Sequence, residues 1–383
     1  MQALRVGLVY DDTIDRYGGI GAYVTTLGDA LRRRGHLVTH LVGTSVMSER
    51  PGSNVRALAR NVSVRFNGNH LSMPIWSERR KLDRVMSEGD FDVLHVQVPY
   101  SPLMSGRLLA RMADHAAAIG TYHVASERLL PKIGAQALRA LMVRSAPRFD
   151  AHVSVSEAAA NFALRWSGIR TSAVVPNPIH AAQIRTQASL GCWDDEMEVV
   201  FVGRLVPRKG AEQLVRAVAG MKRRPRVAII GDGPLRPRIE QLITKLGVRR
   251  SIRLYGTVSD EVKAAALAQA RIACFPSLYG ESFGLVILEA LAAGAEMVLG
   301  GDNPGYAEVL GDRRALVDPR YAAGFARHLK QLLDDPGLRA SIGVRQRLLL
   351  ERCAADTVAA DLIEVYRSAL AHRRSKGALA VAA

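Results

Sequence analysis

Glu281 and Glu289 stand eight residues apart in GESFGLVILEA (280–290), an apolar run with Gly280 and Gly284 around its start. Its Leu, Ile and Ala content predicts a helix. Glu281 then lies just before the first turn and Glu289 two turns further on. One suits accepting hydrogen bonds from sugar hydroxyls, the other from a second diol such as a ribose. The glycines let backbone N–H groups face a ligand, and a helix start stabilises a phosphate by about 0.3–1 kcal/mol. Earlier, Arg204 and Lys209 sit five apart in VGRLVPRKG (202–210). Two cations on one turn suit a diphosphate, because each neutralises part of a doubly charged group. A purely structural reading pairs the two glutamates with the surplus arginines, but leaves the glycine bracketing unexplained.

Other loops have the same character. Gly18-Gly19-Ile20-Gly21 opens a predicted helix, where backbone closely approaches an anion. It is not a dinucleotide fingerprint, since G-x-G-x-x-G is absent. GDGPLRPRIE (231–240) is a second glycine-rich turn. His123 closes GTYH at the end of a predicted strand. No D-x-D pair stands at a strand end, so no metal is expected and the cations serve in its place.

These loops need strands that deliver them to one edge. LRVGLVY (4–10), HLVTHLV (36–42), FDVLHVQV (91–98), AAIGTYH (117–123) and AHVSVS (151–156) read as buried strands. Helices are expected between them, including Ile20 to Arg34 and a basic one from Ser77 to Ser87. The pattern resets at VVPNPIH (174–180), where two prolines flank Asn177. A second series follows: EVVFVG (198–203), RVAIIG (226–231), SIRLYG (251–256), RIACFP (271–276) and AEMVLG (295–300). Alternating strands and helices mean βαβ units and parallel sheets. Such sheets bind ligands beyond the carboxyl ends of their strands. The helices after Ala322 exceed what the second sheet needs, so one is expected to cross back.

The 383 residues favour two domains. Apolar runs are broken well before the ~18 residues of a membrane span. MQALRVGLVYDD turns acidic at once, so no secretory leader is expected. Cys192, Cys274 and Cys353 are scattered, which fits a reducing cytosol. The net charge of +16 points to polyanionic partners. Aromatic residues make up only 5% and are not interleaved with the basic ones, and no nucleic-acid-binding module is recognisable, so nucleic acid is not an expected partner.

Together GGIGAYV, GTYH, GRLVPRKG, GDGP and the E-x7-E element resemble a GT-B retaining glycosyltransferase of family four, over nearly the whole chain. Within it, RFNGNHLSMP (65–74), SEGDFDVLHVQVPYSP (87–102) and VSDEVKAAAL (258–267) are most similar to phosphatidyl-myo-inositol mannosyltransferases. The resemblance implies two Rossmann-like domains facing across a deep cleft. Residues 1–178 would bind the acceptor, 179–360 the nucleotide sugar, and 361–383 would return to the first domain. It implies that Gly19 offers its backbone to the donor diphosphate, which Arg204 and Lys209 neutralise as the leaving group. Glu281 would hold the transferred sugar with the N–H groups of Ser282, Phe283 and Gly284, and Glu289 the ribose. Val258, Asp260 and Lys263 would lie near the base, Asp260 accepting from a guanine edge. His123 would contact the sugar and help place the acceptor. The implied donor is GDP-mannose, with no cofactor required.

The acceptor side carries the membrane expectation. Arg79, Arg80, Lys81 and Arg84 lie beside Trp76, Leu82, Val85 and Met86, a basic amphipathic helix suited to an anionic surface, with Asp83 interrupting the cluster. Arg128 keeps a cation for an acceptor phosphate. Tyr100, Val124 and Ala125 depart from the mannosyltransferase pattern. The expected place is the cytoplasmic face of the plasma membrane, with an anionic phospholipid acceptor. A soluble glycosyltransferase using another nucleotide sugar and a small or polysaccharide-precursor acceptor is the alternative, and a non-catalytic nucleotide-binding regulator is the alternative of another class. Oligomeric state is not legible.

Overall fold

The computed structural model describes residues 2–15, 18–66, 69–99, 103–125, 140 and 146–382. The chain divides into two compact units, Met1–Pro178 with Ala355–Ala383, and Ile179–Ala354.

The first unit is built on a sheet of β1 (Arg5–Tyr10), β2 (Leu37–Val42), β3 (Val55–Ala57), β6 (Val93–Gln97), β7 (Ala117–Tyr122), β8 (Ala151–Ser154) and β9 (Ala173–Val174). The order is β3-β2-β1-β6-β7-β8-β9, every pairing parallel. β6 and β7 are buried along their whole length, as expected of strands with helices on both faces. On one face Leu94 and Val96 join Leu82, Phe91, Met104 and Leu108 in a core. On the other, helix Gly19–Arg33 and the long helix Ala355–Ala382 pack together, the latter also against β7. Arg373 ties that helix to Asp150 at 2.8 Å.

An antiparallel hairpin of β4 (Arg60–Phe66) and β5 (Asn69–Trp76) stands apart from this sheet. The strand pattern read from sequence omitted it, although Asn67-Gly68 between two β-prone runs is a strong hairpin signal.

The second unit repeats the plan with β10 (Val199–Val202), β11 (Val227–Ile230), β12 (Ile252–Gly256), β13 (Ile272–Phe275), β14 (Met297–Gly301) and β15 (Leu316–Val317). The order is β12-β11-β10-β13-β14-β15, again parallel throughout. β10 pairs with β11 on one side and β13 on the other, so the strand order reverses there. Ligands of doubly wound sheets sit beyond the strand ends at that point.

β15 reaches β14 only at Gly300 and Gly301, which leaves the backbone of Val298 without a strand on that side. The fully buried Gln346 fills the gap: its Oε1 accepts from the Val298 N–H, and its Nε2 donates to the Val298 carbonyl, both at 2.8 Å. Replacing Gln346 by Leu strands two buried backbone groups at about 1–3 kcal/mol each. We expect Gln346→Leu to lower unfolding free energy by about 2–6 kcal/mol in urea titrations. A variant as stable as the parent would show that Val298 finds other partners.

Candidate active site

In the second unit the turn after β10 and the segment after β13 meet at the switch point. Pro207–Lys209 form a short 3-10 turn that ends at Gly210, in the left-handed region at φ 75°. A Cβ there would fall 1.9 Å from the carbonyl oxygen of Pro276, so only glycine lets the two loops dock. The Leu278 N–H then donates to the Arg208 carbonyl at 2.7 Å.

This docking brings two cations onto one buried carboxylate. Arg208 Nη1 lies 2.7 Å and Lys209 Nζ 2.8 Å from Glu281 Oε1. Burial alone pushes the Glu281 carboxyl up. Lys209, Arg208 and a hydrogen bond from Ser277 outweigh it and hold the group below its ordinary range. Partial desolvation and the nearby Arg208 guanidinium lower the pKa of Arg204. Two cations therefore share one carboxylate, and a third, Arg204, stands close enough to Arg208 to feel its charge. Arg208 was not among the residues singled out from sequence, where nothing distinguishes it from a solvated neighbour of Lys209.

The floor of the cluster is a buried polar set. Ser277 Oγ lies 3.3 Å from the Tyr306 hydroxyl. Asn303 caps helix Pro304–Leu310 through the Tyr306 N–H, and its Nδ2 donates to the carbonyls of Ser277 and Gly301. Above it, helix Leu285–Ala293 begins at Gly284 with no side-chain cap and no acid in its first turn. Phe283 is buried, and Ser282 and Gly284 are half-buried beside it. An uncapped helix start beside a cationic turn is a ready anion site.

Glu289, on that helix, belongs to a second cluster. Lys263 Nζ lies 2.9 Å from Asp260 Oδ1 and 3.4 Å from Glu289 Oε2. Asp260 and Lys263 lie in helix Asp260–Ala268, with half-buried Val258 in the turn before it. The two glutamates therefore occupy separate charge clusters at the two ends of one short helical segment. Both are paired with cations, as the structural reading of the sequence had it.

In the first unit, Gly19 begins helix Gly19–Arg33, exposed, with no side-chain cap and no acid in the first turn. His123 is buried just past β7, its Nε2 2.8 Å from Gln97 Oε1 and its ring edge-to-face with Tyr23. Beside it, fully buried His95 lies 2.7 Å from the Tyr366 hydroxyl through Nδ1 and 2.5 Å from Thr121 Oγ1 through Nε2. Desolvation lowers both histidines to about 3, with His123 adding to the effect on His95. Both are neutral. The period-2 alternation in LHVQV places His95 and Gln97 on one face, a signal that was open to reading.

The basic helix runs Arg79–Gly89, with Arg79, Arg80, Lys81 and Arg84 exposed. Its apolar residues are not available to a membrane: Leu82 and Val85 are buried in the core, where Met86 also packs. The helix is amphipathic as expected, but its apolar face is turned into the core and only its basic face is open. The exposed apolar groups come instead from the hairpin end, Ile75 at 64% and Trp76 at 65%. Asp83 is taken up by Arg111 at 2.6 Å, which offsets its interruption of the cluster. Tyr100 and Arg128 lie outside the described residues.

Two parallel Rossmann-like units, the second with a cationic turn and an uncapped helix start at its switch point, have the architecture of the GT-B class. Residues 17–183 match the Glycosyltransferase Family 4 model and residues 184–348 the model for glycosyl transferases group 1. The chain belongs to this glycosyltransferase family, as its motifs implied. It is 30% identical over 376 residues, 95% of this chain and 94% of the relative, to a phosphatidyl-myo-inositol mannosyltransferase of Mycolicibacterium smegmatis. A protein of the same name from Mycobacterium tuberculosis is 29% identical over 381 residues, 95% of this chain and 97% of the relative. Among solved structures, a glycosyltransferase from Rickettsia africae matches with a TM-score of 0.73 at 15% identity, covering 97% of this chain and 99% of the other. Anabaena Alr3699/HepE, solved with UDP, matches with 0.71 at 18%, covering 95% and 99%. At these identities the structural likeness speaks for the fold alone.

The neutral histidines make stability pH-dependent. Their folded pKa values lie below the ordinary 6.5, so the unfolded chain takes up protons first as pH falls. Their contribution is complete above 6.5 and erodes toward 3, at about 1.4 kcal/mol per group per pH unit. Urea midpoints should drop between pH of about 7 and about 5, and His95→Gln should flatten the drop. Equal slopes in parent and variant would remove His95 from the account.

Proposed function

We propose that the chain transfers mannose, with retention, from GDP-mannose to a phosphatidylinositol-type lipid at the inner membrane surface. The observation that carries the donor half is the pair of cations on Glu281, Arg208 and Lys209, beside the uncapped start of helix Leu285–Ala293. In this reading Arg204, Lys209 and the helix amides of 282–284 take the diphosphate. They stabilise its charge as the bond to the sugar anomeric carbon breaks and the electron pair stays on the leaving oxygen. The acceptor hydroxyl attacks from the same face and gives its proton to that leaving phosphate, so no separate base or covalent intermediate is required. Glu281, ionised and immobilised by Arg208, orients the sugar hydroxyls. Glu289 takes the ribose, and Asp260 with Lys263 and Val258 the guanine edge. His123 takes a sugar hydroxyl, and Gly19 adds a backbone donor to the diphosphate.

The lipid half is supported by the names of the relatives and by the exposed Arg79, Arg80, Lys81 and Arg84 next to Ile75 and Trp76. Each basic residue near an anionic surface contributes about 1 kcal/mol, and exposed Trp favours the interface. No helix among the described residues is long and apolar enough to cross a membrane, so the contact proposed is peripheral. Arg128 and Tyr100 are assigned to the acceptor on the resemblance alone.

A thermal-shift panel of GDP, UDP and ADP sugars tests the donor. GDP-mannose should raise the melting temperature most, since a ligand binding only the folded state stabilises it according to its affinity. Glu281→Ala should abolish transfer, and Lys209→Ala should weaken both donor binding and turnover. Normal transfer by Glu281→Ala would sink the site assignment. Flotation with vesicles tests the acceptor side: the protein should rise with acidic phospholipid at low salt and not with neutral lipid. Failure to float, with transfer to water-soluble acceptors, would establish the soluble reading instead.

A further inference from the structure

Gln97 and His123 sit at the carboxyl ends of adjacent parallel strands. Register pairs Gln97 with Thr121, which places Gln97 next to the position that follows β7 by one residue. Within the pair, the amide orientation is set. Gln97 Nε2 reaches the His95 carbonyl at 3.4 Å, a group that only accepts, and this turns Oε1 toward the imidazole. An amide oxygen also only accepts, so His123 Nε2 must carry the proton at this 2.8 Å contact. In a neutral ring the other nitrogen is then a lone-pair acceptor. No described residue is bonded to Nδ1, and His123 keeps 8% exposure while Gln97 keeps 1%.

The backbone beside the pair is strained. Val98, directly after Gln97, has φ 54°, a left-handed conformation that a β-branched residue rarely adopts. Its N–H donates to the Thr121 carbonyl at 3.0 Å, tying the end of β6 to β7. Strain of this kind persists where surrounding structure over-determines it, and it clusters at functional sites. The face behind is held by the Tyr366–His95–Thr121 chain of hydrogen bonds, so the long C-terminal helix braces the strands that carry Gln97 and His123.

We propose that Gln97 is a positioning residue: it holds His123 as the Nε2–H tautomer, so that Nδ1 receives a hydrogen bond from a ligand hydroxyl. This rests on the assignment of His123 to a sugar hydroxyl, and it adds direction: the ligand hydroxyl donates and the imidazole accepts. Gln97→Leu removes the acceptor and frees the ring to change tautomer. Gln97→Glu keeps an acceptor oxygen at the same reach.

Long-range proton–nitrogen NMR on imidazole-labelled full chain, with His123→Gln to assign the signal, reads the tautomer directly. The parent should show Nε2 protonated and Nδ1 bare. Gln97→Leu should show Nδ1–H or a mixture, and Gln97→Glu should restore Nε2–H. Sugar transfer should fall about tenfold in Gln97→Leu, as for loss of one buried hydrogen bond, and recover at least in part in Gln97→Glu. Protonated Nδ1 in the parent, or an unchanged tautomer in Gln97→Leu, overturns the positioning role. A changed tautomer with undiminished transfer overturns the hydroxyl contact. The NMR result stands apart from turnover, so failure of GDP-mannose as donor leaves it readable.

Discussion

A buried carboxylate held by two cations organises the second unit. Glu281 is 9% exposed, and Arg208 and Lys209 both reach the same oxygen. Burying such a group is unfavourable by several kcal/mol per ion, and an apolar replacement often serves stability as well or better. Its presence is therefore better explained by a ligand than by folding. Arg204 lies near Arg208, so a third cation stands beside the pair, next to a helix start that has no acid of its own. A diphosphate is the ligand proposed for this cationic turn. In the proposed reading Glu281 is an anchored sugar contact, because Arg208 and Lys209 fix its position.

The scaffold supplies this arrangement through backbone geometry. β10 and β13 are neighbours in a parallel sheet, so the loops after them leave at the same edge. Side-by-side exit is not enough, since Arg208 and Glu281 are 73 residues apart in sequence. Gly210 closes the remaining distance by allowing contact with Pro276, and Gly305 does the same below, where a Cβ would fall 2.1 Å from the Glu281 carbonyl oxygen. Ser277, Asn303 and Tyr306 then immobilise the floor by hydrogen bonds. A group held this way is preorganised, and preorganised charge is what stabilises a leaving group without reorganisation at the moment of reaction.

The strands were legible because parallel strands buried on both faces are nearly continuous apolar runs, as in VVFV and VAII. The glycine-rich turns were legible as places of close backbone approach, and at Gly210, Gly231 and Gly233 the approaching group is the chain's own backbone at Pro276, Gly203 and Leu205. Arg208 was not: among three neighbouring cations, only the docking of two loops decides which meets Glu281. Glu281 and Glu289, eight residues apart, read as one element, yet tertiary contacts divide them between Arg208–Lys209 and Lys263. On the basic helix, spacing alone did not show which surface would take the apolar residues. Phe91, Leu94 and Met104 gather from other elements to cover Leu82 and Val85, and the exposed Trp76 lies on a strand.

The first unit shows the same economy in a different medium. One face of β6 is aliphatic, with Leu94 and Val96 in the core, while the other carries His95 and Gln97 against Thr121, His123 and Tyr366. An aliphatic second face would have avoided the desolvation of two imidazoles, which burial holds neutral against their ordinary tendency to charge below 6.5. A buried polar network rigidifies its members only if each finds a partner, and here hydrogen bonds run from the C-terminal helix through His95 to Thr121 and separately from Gln97 to His123. The consequence is orientational: a hydrophobic sheet face packs equally well over a range of small shifts, whereas here His95 is held between Tyr366 and Thr121, and His123 is tied to Gln97. The long helix Ala355–Ala382 joins this network through Tyr366, so the polar face of β6 and the last helix hold each other in place.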